Sequence, residues 1–268
     1  MISRINWIGR IGRIGRIRRI SPSPRIPRVR LEPLLLLLLA LLAATPAQAS
    51  WSVSPRATRG DFEAFHRRFS SDAYFYPRHS ASPLGLIGFE VYADATYDEK
   101  FDNQSFNDTA VDGGFTGGFL SVARVGARKG LPGGLDLGVS YGKALNSDVK
   151  LISGEIQYAI LHGGLLSPAL SVRVTGTRTI DAAAYTLDQY GAELLLSKGF
   201  TVLTPYVGAG FVRSKGRLDR GALPSFEDTE TRGVAFAGVT LNLLLPKINV
   251  EVEKGETLQG AVRVGFGF

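Results

Sequence analysis

Seven carboxylates and four guanidinium groups lie on the polar side of ribbons whose other side is apolar. They are Glu90, Asp94, Asp136, Glu155, Glu193, Glu251 and Glu253, against Arg124, Arg128, Arg173 and Arg263. Alternate residues of an extended chain share a face, so extended segments would turn these charges toward one another. Two chemistries fit such an arrangement. One is a paired network filling a narrow interior, where an isolated charge would cost several kcal/mol. The other is the lining of a solute path whose selectivity the charges set. The histidines, His66, His79 and His162, offer little else: none falls where a nucleophile and base would be expected to meet. No His/Cys cluster has metal-ligand spacing and no Gly-rich phosphate loop opens a helix. The expectation is therefore no catalytic residue, no metal and no cofactor. The acids of "DEKFDNQSFNDTAVD" are read as a solvated loop, with a surface calcium ion as the alternative.

The elements that carry these charges show period two from residue 85 onward. In "IGFEVYADATY", Ile87, Phe89, Val91, Ala93, Ala95 and Tyr97 share one face, and Gly88, Glu90, Tyr92, Asp94 and Thr96 the other. "LDLGVSY", "ALSVRVTGT" and "INVEVEK" repeat the pattern. Ten such segments are expected, near 86–97, 118–128, 135–144, 150–160, 169–180, 185–198, 202–214, 232–244, 248–254 and 258–268. Most run roughly 9 to 13 residues, closer to the 9 to 11 of a tilted bilayer-crossing strand than to an average soluble strand. Short turns alternate with connections that can be long, and both long polar loops, near 98–117 and 215–231, fall on one side.

The first 49 residues stand apart. They hold nine arginines and one acid, leaving 22 basic and 23 acidic residues in 50–268, so the net charge of +7 is no argument for nucleic acid. "PLLLLLLALLAA" is too short to span a bilayer as a helix and reads as the apolar core of a signal peptide. Cleavage is expected between Ala49 and Ser50, with Val29 an alternative translation start inside the repetitive "IGRIGRIGRIRRI" region. In "GDFEAFHRRF", Phe62, Phe65 and Phe69 take a helical spacing with Asp61 as N-cap. This predicts a short amphipathic helix on the periplasmic side, as a plug or lid at a barrel mouth or as a partner-binding helix. The organisation is then 1–49 signal peptide, 50–84 N-terminal periplasmic segment and 85–268 β-barrel.

Alternation suits a soluble sandwich as well as a barrel. Three features favour lipid on the apolar side. An export signal comes without a long apolar helix, the polar faces mix Gly, Asp, Glu and Arg, and aromatics gather near segment ends. The fold class expected is all-β, an antiparallel up-and-down transmembrane β-barrel of about ten strands, within roughly 8 to 12.

The closing alternation of Val262, Val264, Phe266 and Phe268 resembles the C-terminal signal that outer-membrane barrels present to their assembly machinery. "LGLIGFEV", "KGLPGGLDLG" and "SKGFTVLTPYVGAGF" resemble segments of an uncharacterised family of proteobacterial outer-membrane β-barrel proteins, over most of residues 60–268. The resemblance implies a barrel in the bacterial outer membrane and no particular substrate. The partners expected are outer-membrane lipid, the assembly machinery and, in the alternative reading, a small-molecule solute. The function expected is a structural or surface-interaction barrel without catalysis, with a channel or transporter for small or hydrophobic molecules as the alternative.

Overall fold

The computed structural model describes residues 52–53, 57–98, 111–112, 120–145, 149–164, 166–180, 184–243 and 245–268. The expected signal peptide and its Ala49–Ser50 cleavage point lie outside the described residues, as does most of the acidic loop considered for calcium.

Ten antiparallel strands close into a barrel with nearest-neighbour order throughout. They are β1 Phe89–Asp98, β2 Leu120–Leu131, β3 Leu135–Ala144, β4 Lys150–His162, β5 Ala169–Ile180, β6 Tyr185–Ser197, β7 Leu203–Arg220, β8 Leu223–Asn242, β9 Pro246–Lys254 and β10 Leu258–Gly267. The seam is β10 on β1, from Gly260 opposite Tyr97 to Gly267 opposite Glu90. Beyond it, Phe89 and Phe268 exchange both backbone hydrogen bonds at 3.1 Å, so pairing continues into the final residue. Closure leaves no unpaired edge.

One mouth, the C-terminal end, holds Phe268 and the turns after β2, β4, β6 and β8. The other, the loop end, holds the connections after β1, β3, β5, β7 and β9. One short turn at the C-terminal end is Pro132–Gly134, where Gly133 and Gly134 both take φ near +80° (77° and 80°). That left-handed backbone is what glycine permits without strain.

The barrel is apolar outside and charged inside. Val139 is 64% exposed and Val174 54%, whereas Arg124 and Arg263 are fully buried. Large aliphatic side chains wetted by water would be costly at about 25 cal/mol per Å²; this belt is built for a non-aqueous surround.

Two sequence expectations need correction. Residues 215–231, expected as a loop, continue the sheet. β7 and β8 run 18 and 20 residues and form a hairpin turned by Gly221 and Ala222, standing above the shorter strands. The reason lies in cross-strand charge: Lys215 and Arg217 each reach Glu227 at 3.6 Å, so polar side chains pair along the ladder where an apolar face would have advertised a strand.

The second correction concerns the helix. α1, Arg59–Asp72, is present, but Thr58 caps it and Asp61 is the third helical residue of a capping box. The Thr58 amide donates to Asp61 Oδ2 at 2.9 Å, and the Asp61 amide to Thr58 Oγ1 at 3.3 Å. More consequentially, α1 sits inside the barrel at the loop end, opposite the terminus beside which the sequence reading set it. Phe62, Phe65 and Phe69 bury against Tyr185, Leu187, Leu218 and Val122, with Phe226 partly covering them. Phe65 and Phe69 meet the Tyr185 ring edge-on at 5.0 and 5.5 Å.

Candidate functional site: a charged lumen threaded by the N-terminal segment

From α1, residues 73–84 run down the lumen to the C-terminal end and then feed β1. Each level of the wall grips the thread. Gln259 on β10 donates to Asp72 Oδ1 at 2.5 Å. Arg124 on β2 donates to the carbonyls of Ala73 and Tyr74 at 3.0 and 3.1 Å. The Tyr74 hydroxyl donates to Glu193 Oε1 at 2.7 Å, and the same carboxylate takes Arg173 at 2.5 Å. Arg263 donates to the Pro77 carbonyl and binds Glu90 at 2.7 Å.

Arg78 is the centre of the arrangement. Its guanidinium, fully buried, binds Asp94 on β1 at 2.5 Å and Glu253 on β9 at 2.6 Å. Its backbone takes φ of 48°, a left-handed conformation unfavourable for a non-glycine residue. The contacts it makes hold it there.

Below it, His79 Nε2 lies 2.8 Å from Glu155. Arg128 gathers three acids, Asp136 at 2.9 Å, Glu155 at 3.1 Å and Glu90 at 3.6 Å. At the lower mouth the Leu84 amide donates to Asp136 at 3.1 Å. Glu251 shares the Arg78 neighbourhood with Glu253 and Tyr206.

The structure thus places all eleven wall charges named from the sequence in the interior, each buried. It brings Glu90, Asp136 and Glu155 around Arg128, Glu193 onto Arg173, and Asp94 and Glu253 onto Arg78. Val262 and Phe268 are exposed on the outer face and Val264 and Phe266 half-buried there. Sequence reasoning missed Arg78 and His79. The available signal was a charge count: seven acids against four arginines on the wall ask for a further cation, and "AYFYPRHSASP" carries one next to a histidine.

The thread also needs room. A Cβ at Gly191 would collide with the Tyr74 hydroxyl, and one at Gly216 with the His66 ring. These two wall positions are flat so that the thread and α1 can lie against them.

A cavity of about 240 Å³ lies at the C-terminal end, lined among others by His79, Glu90, Arg128, Lys247, Asn249 and Asn242. It is polar and opens beside the thread. Among the described residues no group of three His, Cys, Asp or Glu could hold a metal ion, and no helix is long and apolar enough to cross a membrane.

No family model and no curated protein sequence matches the chain. Solved structures do resemble it. The N-terminal β-barrel domain of Pseudomonas aeruginosa OprF is similar at 14% identity and a TM-score of 0.32, covering 69% of this chain and 99% of that one. Neisserial surface protein A is similar at 14% identity and a TM-score of 0.30, covering 67% and 95%. LpxR from Salmonella typhimurium is similar at 12% identity and a TM-score of 0.36, covering 66% and 100%.

Proposed function

We propose that the chain is an outer-membrane barrel with a closed lumen, a structural or surface-interaction protein without catalytic activity. The observation that carries this reading is the occupied interior. A thread of the chain's own residues fills the bore along its length; its Arg78 ion pairs engage β1 and β9 and its His79 hydrogen bond engages β4. Ten strands enclose far less than the 16 to 18 that leave an aqueous channel in porins. The exposed aliphatic belt supports a membrane location, with lipid as the surround and the Val262–Phe268 alternation as the feature offered to the assembly machinery. Recognition then falls to what stands above the belt at the loop end, including the β7–β8 hairpin. The histidines support the non-catalytic reading: His66 packs from α1 onto Tyr185 at 2.7 Å and His79 ties the thread to Glu155.

The second reading, passage of a small polar solute, is favoured by one observation: the cavity at the C-terminal end, with Arg128 and Lys247 on its wall. Single-channel recording of the purified protein in planar bilayers separates the two. Silence across several salts is the expected result; discrete, reproducible steps from the wild-type chain would overturn the closed-lumen reading and favour passage. Location is tested by membrane fractionation, where recovery of folded chain in the aqueous fraction without detergent would defeat both.

A further inference from the structure

We propose that the outer wall of β5–β8, at the upper border of the apolar belt, is a docking site for a phosphate-bearing lipid headgroup. The site rests on the membrane placement proposed above.

Outward positions on β7 read Val207, Ala209, Phe211 and then Arg213, Lys215, Arg217. Hydrophobic character gives way to three consecutive outward cations within a single two-residue step, about 7 Å of strand. The neighbouring strands change at the same height. On β5, Val172 and Val174 lead to Arg178; on β6, Leu196 and Leu194 lead to Tyr190 and Asp188. The register sets these side chains in rows across the wall: Arg178 opposite Asp188, Asp188 opposite Lys215, Lys215 opposite Thr229, and Tyr190 opposite Arg213.

The charges do not cancel. Arg178 binds Asp188 at 3.0 Å. Lys215 and Arg217 share the single carboxylate of Glu227 at 3.6 Å each. Arg213 has no ion-pair partner among the described residues. Three of these cations, Arg178, Arg213 and Lys215, and one acid, Asp188, line a hollow of about 330 Å³ together with Tyr190 and Thr229, while Arg217, Glu227 and the outward Asp219 lie beyond it. Guanidinium groups grip phosphate oxygens in a fixed two-pronged geometry, so converging Arg178 and Arg213 beside Lys215 supply phosphate chemistry.

The apolar floor selects a lipid over a free anion. Phe211 and Tyr190, 70% and 68% exposed, mark the border. Below them Val207, Ala209 and Leu194 offer a surface for acyl chains of the molecule whose headgroup the cations hold. Tyrosine and phenylalanine at this height are the side chains that settle at a membrane interface, and basic residues there attract anionic headgroups.

The test uses the full processed chain, folded in neutral detergent, and native mass spectrometry with three probes: diphosphoryl lipid A, the same lipid stripped of phosphate, and inorganic pyrophosphate. The variants are Arg213→Gln/Lys215→Gln and, as a control on the adjoining β3 and β4 outside the hollow, Lys143→Gln/Lys150→Gln. Heat-shifted gel mobility certifies that each is folded. The expected result is retention of the diphosphoryl lipid by wild type and control, at least ten-fold weaker retention by the Arg213/Lys215 variant, and the same loss when the lipid lacks phosphate. Equal retention by wild type and the Arg213/Lys215 variant would overturn the proposal, as would pyrophosphate binding as tightly as the lipid. Glu227→Gln gives a second arm: it removes a competing acid and should tighten retention. Because the readout is made in detergent, its failure is distinct from failure of the membrane placement or of the closed lumen, which fractionation and conductance test separately.

Discussion

Arg78 carries one positive charge into a neighbourhood of three carboxylates, Asp94, Glu251 and Glu253, at a fully buried position. Removing it would strand Asp94 and Glu253, and a buried pair broken from one side costs about 3–5 kcal/mol. Arg78→Met should therefore lower the free energy of unfolding in urea from lipid vesicles by an amount of that order. Arg78→Lys, which keeps the charge but offers one point of contact instead of a fork, should lie between. An unfolding free energy within about 0.5 kcal/mol of wild type for Arg78→Met would show that the thread is not held by this residue. The wall half of the network was legible in the sequence because Glu90, Asp94, Glu251 and Glu253 sit at even spacing on apolar-backed ribbons. The thread half was not. A residue such as Arg78, flanked by Pro77 and His79 in an irregular stretch, belongs to no period, and what it touches is settled by contacts more than 170 residues away in the chain at Glu253.

At the scale of elements, α1 depends on an aromatic face that closes over a histidine. His66 lies on the buried face of α1 itself, its Nδ1 2.7 Å from the Tyr185 hydroxyl and its ring stacked near Phe62 at 6.0 Å. Burial pulls its pKa below the ordinary 6.5, against the opposing pull of Glu230 and Asp228 and with a smaller push from Arg232. A histidine held neutral by the fold takes up its proton more readily once released. Docking of α1 is thus at full strength above pH 6.5 and weakens as pH falls below it toward the lowered folded value. Hydrogen exchange of α1 amides, corrected for intrinsic rates, should accelerate between pH 7 and pH 5 while β3 and β4 stay protected. His66→Phe should remove the difference; an unchanged pH response in that variant would acquit His66.

The strands offer a sharper contrast of faces. Val139 points outward at 64% exposure and Ser140 inward. Val139→Arg should cost about 2–4 kcal/mol when folding into bilayers, the depth-dependent cost of a cation facing hydrocarbon near the midplane. In a short-chain detergent that lets water reach the site, the cost should shrink; the same loss in both media would argue against lipid on that face. Strand positions were legible because one face alternates so regularly. The β7–β8 hairpin was missed because above Phe211 the outward face becomes as polar as a loop, and composition there cannot distinguish a solvated ladder from irregular chain.

For the molecule as a whole, an even strand count returns both ends of the sheet to one mouth, yet the thread carries the chain back through the bore. Thr58 and α1 lie at the loop end, and Ser52–Val53 pairs with Val111–Asp112 in the connection after β1. An epitope inserted after Ser50 should consequently be reached by antibody from the same side as one placed in the 99–110 connection, on intact cells and without permeabilisation. Labelling of the Ser50 epitope only after permeabilisation would mean that the helix does not occupy the mouth described. A reading of strand parity alone puts this segment at the mouth that holds Phe268, whereas the helix lies at the other mouth, because nothing local announces that twelve residues of irregular chain double back inside.

The thread also constrains the order of events in folding. Residues 73–84 are clasped by side chains from β1 to β6, β9 and β10, and those side chains occupy the same bore through which a late-arriving segment would have to be pulled. Feeding it through a finished cylinder would mean breaking every one of those grips in succession. A sheet that curls around a strip already in place, as cloth is rolled on a mandrel, avoids that cost.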